Sequence, residues 1–324
     1  MNTGAGNGVA IGRRGFLGLG AAAAASVFMP VLKADICADL RGDASSARFD
    51  DNLVAFLADI HAGADKKCSV ARRKFKETVD EILAMRPLPR NVLVFGDIAY
   101  RCGLGEDYDF SRPLFRKLED AGIAVTIGMG NHDRRENFWA CFPEQKAKSL
   151  LDDRCVYVVE TPRADFIVLD SLQQGEDTTT WITPGALDDR QRAWLGDRLS
   201  KYTGKPVLVM AHHPIHETLV RDLLLDSPSC CGYIHGHDHV WQTGWQRKNY
   251  SEYSLLPTLC VPSTGHWGDI GYTLLKMGND SATASLREFE FFFPHPVEKG
   301  EARPPQWARI EQAHKDASWT FTYK

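Results

Sequence analysis

The sequence predicts a layered α/β fold, and three observations carry that expectation. Short apolar runs alternate with stretches of helical period, the pattern of βαβ units. Polar clusters follow five of those runs almost at once, which is where open α/β sheets gather their ligand sites. From Tyr253 onward the composition turns strand-rich, which predicts a second sheet layer.

The expected strands are Leu53–Ala58, Asn91–Phe95, Ala124–Met129, Phe166–Leu169, Val207–Met210 and Gly232–Ile234, each apolar and short enough to be a buried strand. Between the first two, Phe75, Val79, Ile82 and Leu83 recur on one helical face over 70–85, and Pro87 closes the stretch. Further helices are expected over Pro113–Ala121 and about Asp188–Ser200, the latter with Trp194, Leu195 and Leu199 on one stripe. Beyond Tyr253, strands are expected at Leu255–Val261, Tyr272–Met277 and Ala284–Phe293. A Pro-rich, charged tail over 294–324 then packs on the domain surface.

At 324 residues, with 44% hydrophobic and 25% charged side chains, the chain has ordinary globular proportions, so disorder and fibrous repeats are excluded. One domain, 35–293, is expected to carry the chemistry. Residues 1–34 stand apart: they contain no acid, carry the pair Arg13-Arg14 and then run apolar from Phe16 to Leu32. That is the layout of an export signal, and the arginine pair followed by Gly15, Phe16 and Leu17 resembles the twin-arginine type, with cleavage expected after Ala34. The expected location is periplasmic or extracellular, and contact with a membrane comes only through this segment if it stays uncleaved. Glycines interrupt its apolar run, which falls short of the roughly 20 residues a span prefers.

Losing the segment removes Arg13, Arg14 and Lys33, which takes the formal net charge from -4 by three to -7. Such an acidic chain is not expected to have a nucleic-acid binding surface. An anionic substrate must then be attracted locally, for example by cations. The eight cysteines, at 37, 68, 102, 141, 155, 230, 231 and 260, form no C-x-x-C pair and are expected as small buried hydrophobes.

The clusters after the strands are Asp59-Ile60-His61, Gly96-Asp97, Gly130-Asn131-His132-Asp133, His212-His213 and Gly236-His237-Asp238-His239. Singly each is weak, because an Asp after a strand is usually a helix cap and a lone His is usually structural. Together they offer imidazoles, carboxylates and an amide, donors suited to divalent transition metals, converging from five turns of one sheet edge.

The ordered set D-x-H, G-D, G-N-H-D, H-H-P and G-H-D-H resembles the signature of the calcineurin-like metallophosphoesterase family, over Asp59 to His239. Gly185, Leu187, Gln191, Trp194 and Leu195 resemble a helix that family often carries before its fourth motif. The resemblance implies a four-layer α/β/β/α sandwich of two mixed β-sheets flanked by helices. It also implies two divalent transition-metal ions, Mn, Zn or Fe. Carried over by position, Asp59, His61 and His239 hold one metal; Asn131, His212 and His237 hold the other; Asp97 bridges both. His132 is implied as the general acid at the leaving group, with Asp133 either orienting its imidazole or capping a helix, and His213 in a supporting place.

The implied activity is phosphoester hydrolysis by in-line attack of a metal-bridging hydroxide on a small-molecule phosphoester. A phosphodiester is favoured, with a phosphomonoesterase or nucleotidase as the alternative and an inactive scaffold further behind. Gly96-Asp97-Ile98-Ala99-Tyr100 also resembles the G-D-x-x-Y motif of purple acid phosphatases, whose tyrosine binds ferric iron. Those enzymes lack the histidine of D-x-H, so with His61 present Tyr100 is expected to pack rather than ligate. Arg134 and Arg135 are candidates to meet the substrate phosphate, although such arginines are more often solvated or paired with nearby acids, and His266 and Trp267 are candidates to line the rim. His216 and His235 have no motif role, and the oligomeric state is left open.

Overall fold

A computed structural model describes residues 48–247, 255–292 and 317–323, all within one unit, Ala47–Lys324. The predicted signal at 1–34, Cys37 and the predicted tail over 294–316 lie outside the described residues. The strands are, in chain order, β1 (Phe49–Leu57), β2 (Leu88–Val94), β3 (Ala124–Ile127), β4 (Tyr157–Glu160), β5 (Asp165–Val168) and β6 (Val207–Met210). They continue with β7 (Cys230–His235), β8 (Gln242–Arg247), β9 (Leu255–Cys260), β10 (Gly268–Met277), β11 (Ser281–Phe292) and β12 (Ser318–Thr322). The helices are α1 (Ser69–Ala84), α2 (Gly105–Asp120), α3 (Arg135–Cys141), α4 (Pro143–Lys148), α5 (Asp189–Ser200), α6 (Ile215–Thr218) and α7 (Arg221–Asp226).

The strands form two mixed sheets of six, ordered β12-β11-β10-β1-β2-β3 and β4-β5-β6-β7-β9-β8. In the first, β1, β2 and β3 are parallel and β10 adds antiparallel to β1. In the second, β5, β6, β7 and β9 are parallel, with antiparallel β4 and β8 at the edges.

Alternation along the parallel strands builds the layers, because successive side chains point to opposite faces. Phe166, Val168, Leu208 and Met210 join the core shared with β1 and β2, whereas Ile167, Val207 and Val209 join Leu195 and Leu199 of α5 and Leu224 of α7. The first sheet is covered by α1, whose Phe75, Val79 and Ile82 are fully buried. Burying such a side chain contributes roughly 2 kcal/mol. Two mixed sheets between helices make the predicted α/β/β/α sandwich.

Two sequence expectations need correction. The strands after Tyr253 do not build a sheet of their own: β9 joins β7 in the second sheet, while β10 and β11 extend the first beside β1. The five motif turns therefore do not belong to one sheet edge, since β1, β2 and β3 lie in one sheet and β6 and β7 in the other. Among the helices, α2 begins eight residues before Pro113. Its buried stripe of Tyr108, Ser111, Leu114, Phe115 and Leu118 runs through the proline, so packing overrides the usual placement of proline in a first turn. The end of the chain pairs with β11 through β12 as an edge strand. No helix among the described residues is long and apolar enough to cross a membrane.

Candidate metal centre

Each motif sits where a parallel strand ends and its chain turns, and the turns are laced to one another by backbone hydrogen bonds. Asp59 N donates to Gly96 O (3.1 Å), His61 N to Asp97 O (2.9 Å) and Gly236 N to His212 O (3.0 Å). This close approach is why glycines stand there: a Cβ on Gly96 would lie 2.2 Å from Gly130 N, and one on Gly130 would lie 2.2 Å from Asp97 Oδ1. Five candidate ligands, Asp59, His61, Asp97, His237 and His239, hold positive φ between 46° and 72°. Among the described residues the only other non-glycine with positive φ is Leu219, so the backbone strain is concentrated at the site.

All seven predicted ligand side chains meet. Asp59 Oδ1 lies 3.1 Å from His239 Nε2 and 4.0 Å from His61 Nε2. Asn131 Oδ1 lies 3.1 Å from His212 Nε2 and 3.0 Å from His237 Nδ1. Between the two groups, Asp97 Oδ2 stands 3.5 Å from His61 Nε2 and 3.4 Å from His212 Nε2.

Three of these imidazoles are held by backbone carbonyls at their far side: His61 Nδ1 by Tyr100 O, His212 Nδ1 by Phe95 O and His239 Nδ1 by Trp267 O. Such a contact places the proton on Nδ1 and leaves the lone pair on Nε2 facing inward. At Asp59 and His239, lone pair therefore confronts lone pair across 3.1 Å, and Asp59 Oδ1 and His61 Nε2 are buried without a hydrogen-bond partner among the described residues. A buried polar atom in that state is destabilising unless a cation lies between the donors. The donor set of imidazole, carboxylate and amide oxygen fits transition-metal dications.

Electrostatics agree. Burial would raise Asp97, yet His212 and His132 hold its carboxyl well below the usual range. At Asp59, burial is likewise outweighed, by His239 and His212. Burial would lower His212, but Asp97 beside it pushes it up to about 9, so without a cation His212 takes a proton on Nε2 in the place a metal would fill, while burial and His266 drive His61 well down. Two ionised carboxylates in a dry cluster demand positive charge.

The remaining predicted residues fall into place differently. His213 lies against His212 and His237 but has both ring nitrogens engaged, Nδ1 with Ser171 Oγ at 2.7 Å and Nε2 with Thr183 O at 3.0 Å, so it supports rather than ligates. His132 faces a cavity of about 380 Å³, its Nδ1 2.7 Å from Arg101 O. Asp133 does not orient that imidazole, contrary to expectation. Its carboxylate accepts from Asp97 N, Gly130 N, Ala99 N and Tyr108 Oη, and so pins the G-D turn to the G-N-H-D turn. Burial and the charge of Asp97 raise its carboxyl above the usual range.

Arg134 and Arg135 do not reach the cavity either. Arg134 is buried against Glu136 and the carbonyls of Gly175 and Asp177, and Arg135 forks onto Asp170. His266 and Trp267 do line the cavity, the His266 ring tilted against His61 at 4.4 Å and Trp267 stacked on His239 at 4.2 Å. Tyr100 walls it and gives its carbonyl to His61. Lys67, Arg101 and Thr183 complete the lining, and no spacing rule marks them in the sequence. The seven described cysteines are free thiols, six of them buried.

A stretch of 136 residues, 40% of this chain, is 29% identical to a probable glycerophosphodiester phosphodiesterase from Arcobacter nitrofigilis and spans 44% of it, under half of that relative's length. The fold superposes on a dimetal phosphatase from Danio rerio with a TM-score of 0.59 at 14% identity, covering 84% of this chain and 99% of the other. The pattern of the calcineurin-like phosphoesterases matches residues 53–241, more than half of the chain. This family depends on paired metals, and the chain belongs to it as a metallophosphoesterase.

Proposed function

We propose that the chain hydrolyses phosphodiesters at a two-cation centre. In this reading Asp59, His61 and His239 hold one cation, Asn131, His212 and His237 hold the other, and Asp97 bridges. The observation that carries it is the position of Asp97 Oδ2, nearly equidistant from His61 Nε2 at 3.5 Å and His212 Nε2 at 3.4 Å. A carboxylate there offsets repulsion between two dications, which in such sites lie roughly 3.5–4 Å apart. When bound, the cations supply Lewis acidity, acidifying water and neutralising phosphoryl oxygens. Mn, Zn or Fe suits these donors better than Mg or Ca, which prefer oxygen shells.

The chain's own residues supply the rest. His132, with Nδ1–H committed to the Arg101 carbonyl, keeps Nε2 for the cavity, and in its doubly protonated form passes the Nε2 proton to the leaving oxygen and ends as the neutral ring. Lys67 and Arg101 line the same cavity and attract the anionic substrate. A second cavity of about 550 Å³ adjoins the first, sharing Tyr100 and Arg101 as walls. A diester carries two organic groups and needs room for the second, which this adjoining space supplies. The named activity of the Arcobacter relative points the same way.

The test is turnover of bis-p-nitrophenyl phosphate against p-nitrophenyl phosphate by protein loaded with Mn or Zn. A kcat/KM at least tenfold higher for the diester is expected. The reverse preference would overturn the diester reading, and no turnover of either with two metals bound would favour a non-catalytic scaffold.

We also infer export through residues 1–34, on the strength of Arg13-Arg14 and the apolar run after them. Replacing both arginines by lysine should leave the protein in the cytosol, and unchanged fractionation would refute the inference.

A further inference from the structure

On the far side of the G-H-D-H turn lies another cluster that the two-cation centre does not use. His235 and Cys260 are partners in the parallel register of β7 and β9, so their side chains share one face of the sheet. Asp238, the member of G-H-D-H left over by the ligand pair His237 and His239, reaches the same place. One ligand atom from each of His235, Asp238 and Cys260 lies within 4.8 Å of the others. They line a cavity of about 300 Å³, with His216 of α6 in its wall.

The three side chains present a nitrogen, an oxygen and a sulfur to one another at the same cavity wall. His235 is nine-tenths buried, and its Nδ1 contacts Gly236 O at 2.8 Å. Its Nε2 makes no hydrogen bond among the described residues, so a lone pair is left over. Burial raises the Cys260 thiol well above its ordinary value, and its S–H points to Gly236 O at 3.4 Å, so a cation entering the cluster displaces that proton. Asp238 is exposed, which leaves the cluster open to an incoming ion.

We propose that His235, Asp238 and Cys260 form a third metal site, selective for zinc, with water in the fourth position. Imidazole, thiolate and carboxylate together match the zinc donor set, whereas Mg and Ca prefer oxygen alone. Binding breaks the Cys260 S–H bond: the proton leaves to water and the sulfur electron pair goes to the metal. The ion would clamp the ends of β7 and β9 to the turn that presents His237 and His239. Its occupancy would steady the main centre without touching substrate.

Cobalt tests this independently of activity, because the proposed two-cation centre contains no sulfur. The metal-stripped full chain is titrated with Co(II) and read by near-ultraviolet absorption. Wild type should develop a strong sulfur-to-cobalt charge-transfer band that Cys260→Ser lacks, while the visible bands of cobalt in nitrogen and oxygen sites persist in both. Elemental analysis after zinc loading should find one zinc fewer per chain in Cys260→Ser. The exposed Asp238→Asn keeps the thiol and the fold, so if Cys260→Ser fails to fold, it should weaken zinc at this site by at least about tenfold, the cost of losing even an outer partner. A wild-type chain that binds cobalt without the band, a band that survives in Cys260→Ser, or unchanged zinc affinity in Asp238→Asn would each overturn the proposal.

Discussion

Asp97 divides its two oxygens between two duties: Oδ1 accepts from the His132 backbone N–H at 2.7 Å, while Oδ2 stands between His61 and His212. Asp97→Asn keeps the shape and removes the charge, so affinity for both cations should fall. Elemental analysis after gel filtration should then find fewer than two metals at the centre, with turnover down by on the order of 100-fold, the upper end of what metal-site partners contribute. His132→Ala should keep the metals and lose kcat. As a general acid it is worth about 10²–10⁴-fold with a poor alkoxide leaving group and far less with nitrophenolate, which needs no proton. Equal losses with both leaving groups would assign His132 to binding instead. Asp133→Ala strands three backbone donors and the Tyr108 hydroxyl, and should lower stability by about 3 kcal/mol or more in a urea titration. The ligand residues are legible in the sequence because they follow apolar strands in recognisable order. The role of Asp133 is not, since its bonds to Asp97 and Tyr108 span 36 and 25 residues, and adjacency to His132 is the only relation a sequence displays.

Among the elements, α1 shows how the scaffold holds the first sheet behind the site. Phe75 has no exposure and meets Phe115 of α2 with ring centroids 5.0 Å apart. Phe75→Ala should reduce unfolding free energy by roughly 3–5 kcal/mol, the usual range for emptying a core aromatic site, with metal content at the centre unchanged. Loss of metal in the folded variant would mean that helix packing reaches the strand ends. The periodicity of this helix and the apolar runs of β1, β2, β6 and β7 are plain in the sequence because both faces of those strands are buried. β4, β8 and β12 escape notice: they are edge strands, partly exposed, and Gln242-Thr243-Gly244 or Ser318-Trp319-Thr320 carries little apolar pattern. Sheet membership is hidden as well, because β9 and β10 are both apolar and adjacent in sequence yet join different sheets. Long-range pairing settles that, and no local window contains the partner.

At the scale of the whole molecule, the centre is also the place where the two sheets are tied at one end. Asp59, His61, Asp97 and Asn131 come from the ends of β1, β2 and β3 in one sheet, while His212, His237 and His239 come from β6 and β7 in the other. Cations held among them would cross-link the layers, and stripping them would leave buried lone pairs facing one another. Chelation should therefore destabilise the fold as well as stop catalysis. An ion present at 100 times its Kd stabilises by about 2.7 kcal/mol. Domains only slightly smaller than this unit shift by roughly 2–4 °C per kcal/mol, so removing two ions should lower Tm by on the order of 10 °C. The measurement belongs in the Cys260→Ser background, where zinc at the outer cluster makes no contribution, and added Mn or Zn should restore the loss. Asp97→Asn, already weak in both cations, should respond to chelator much less. If the chelator moved the two proteins equally, or moved neither, the ions would not be joining the sheets through Asp97.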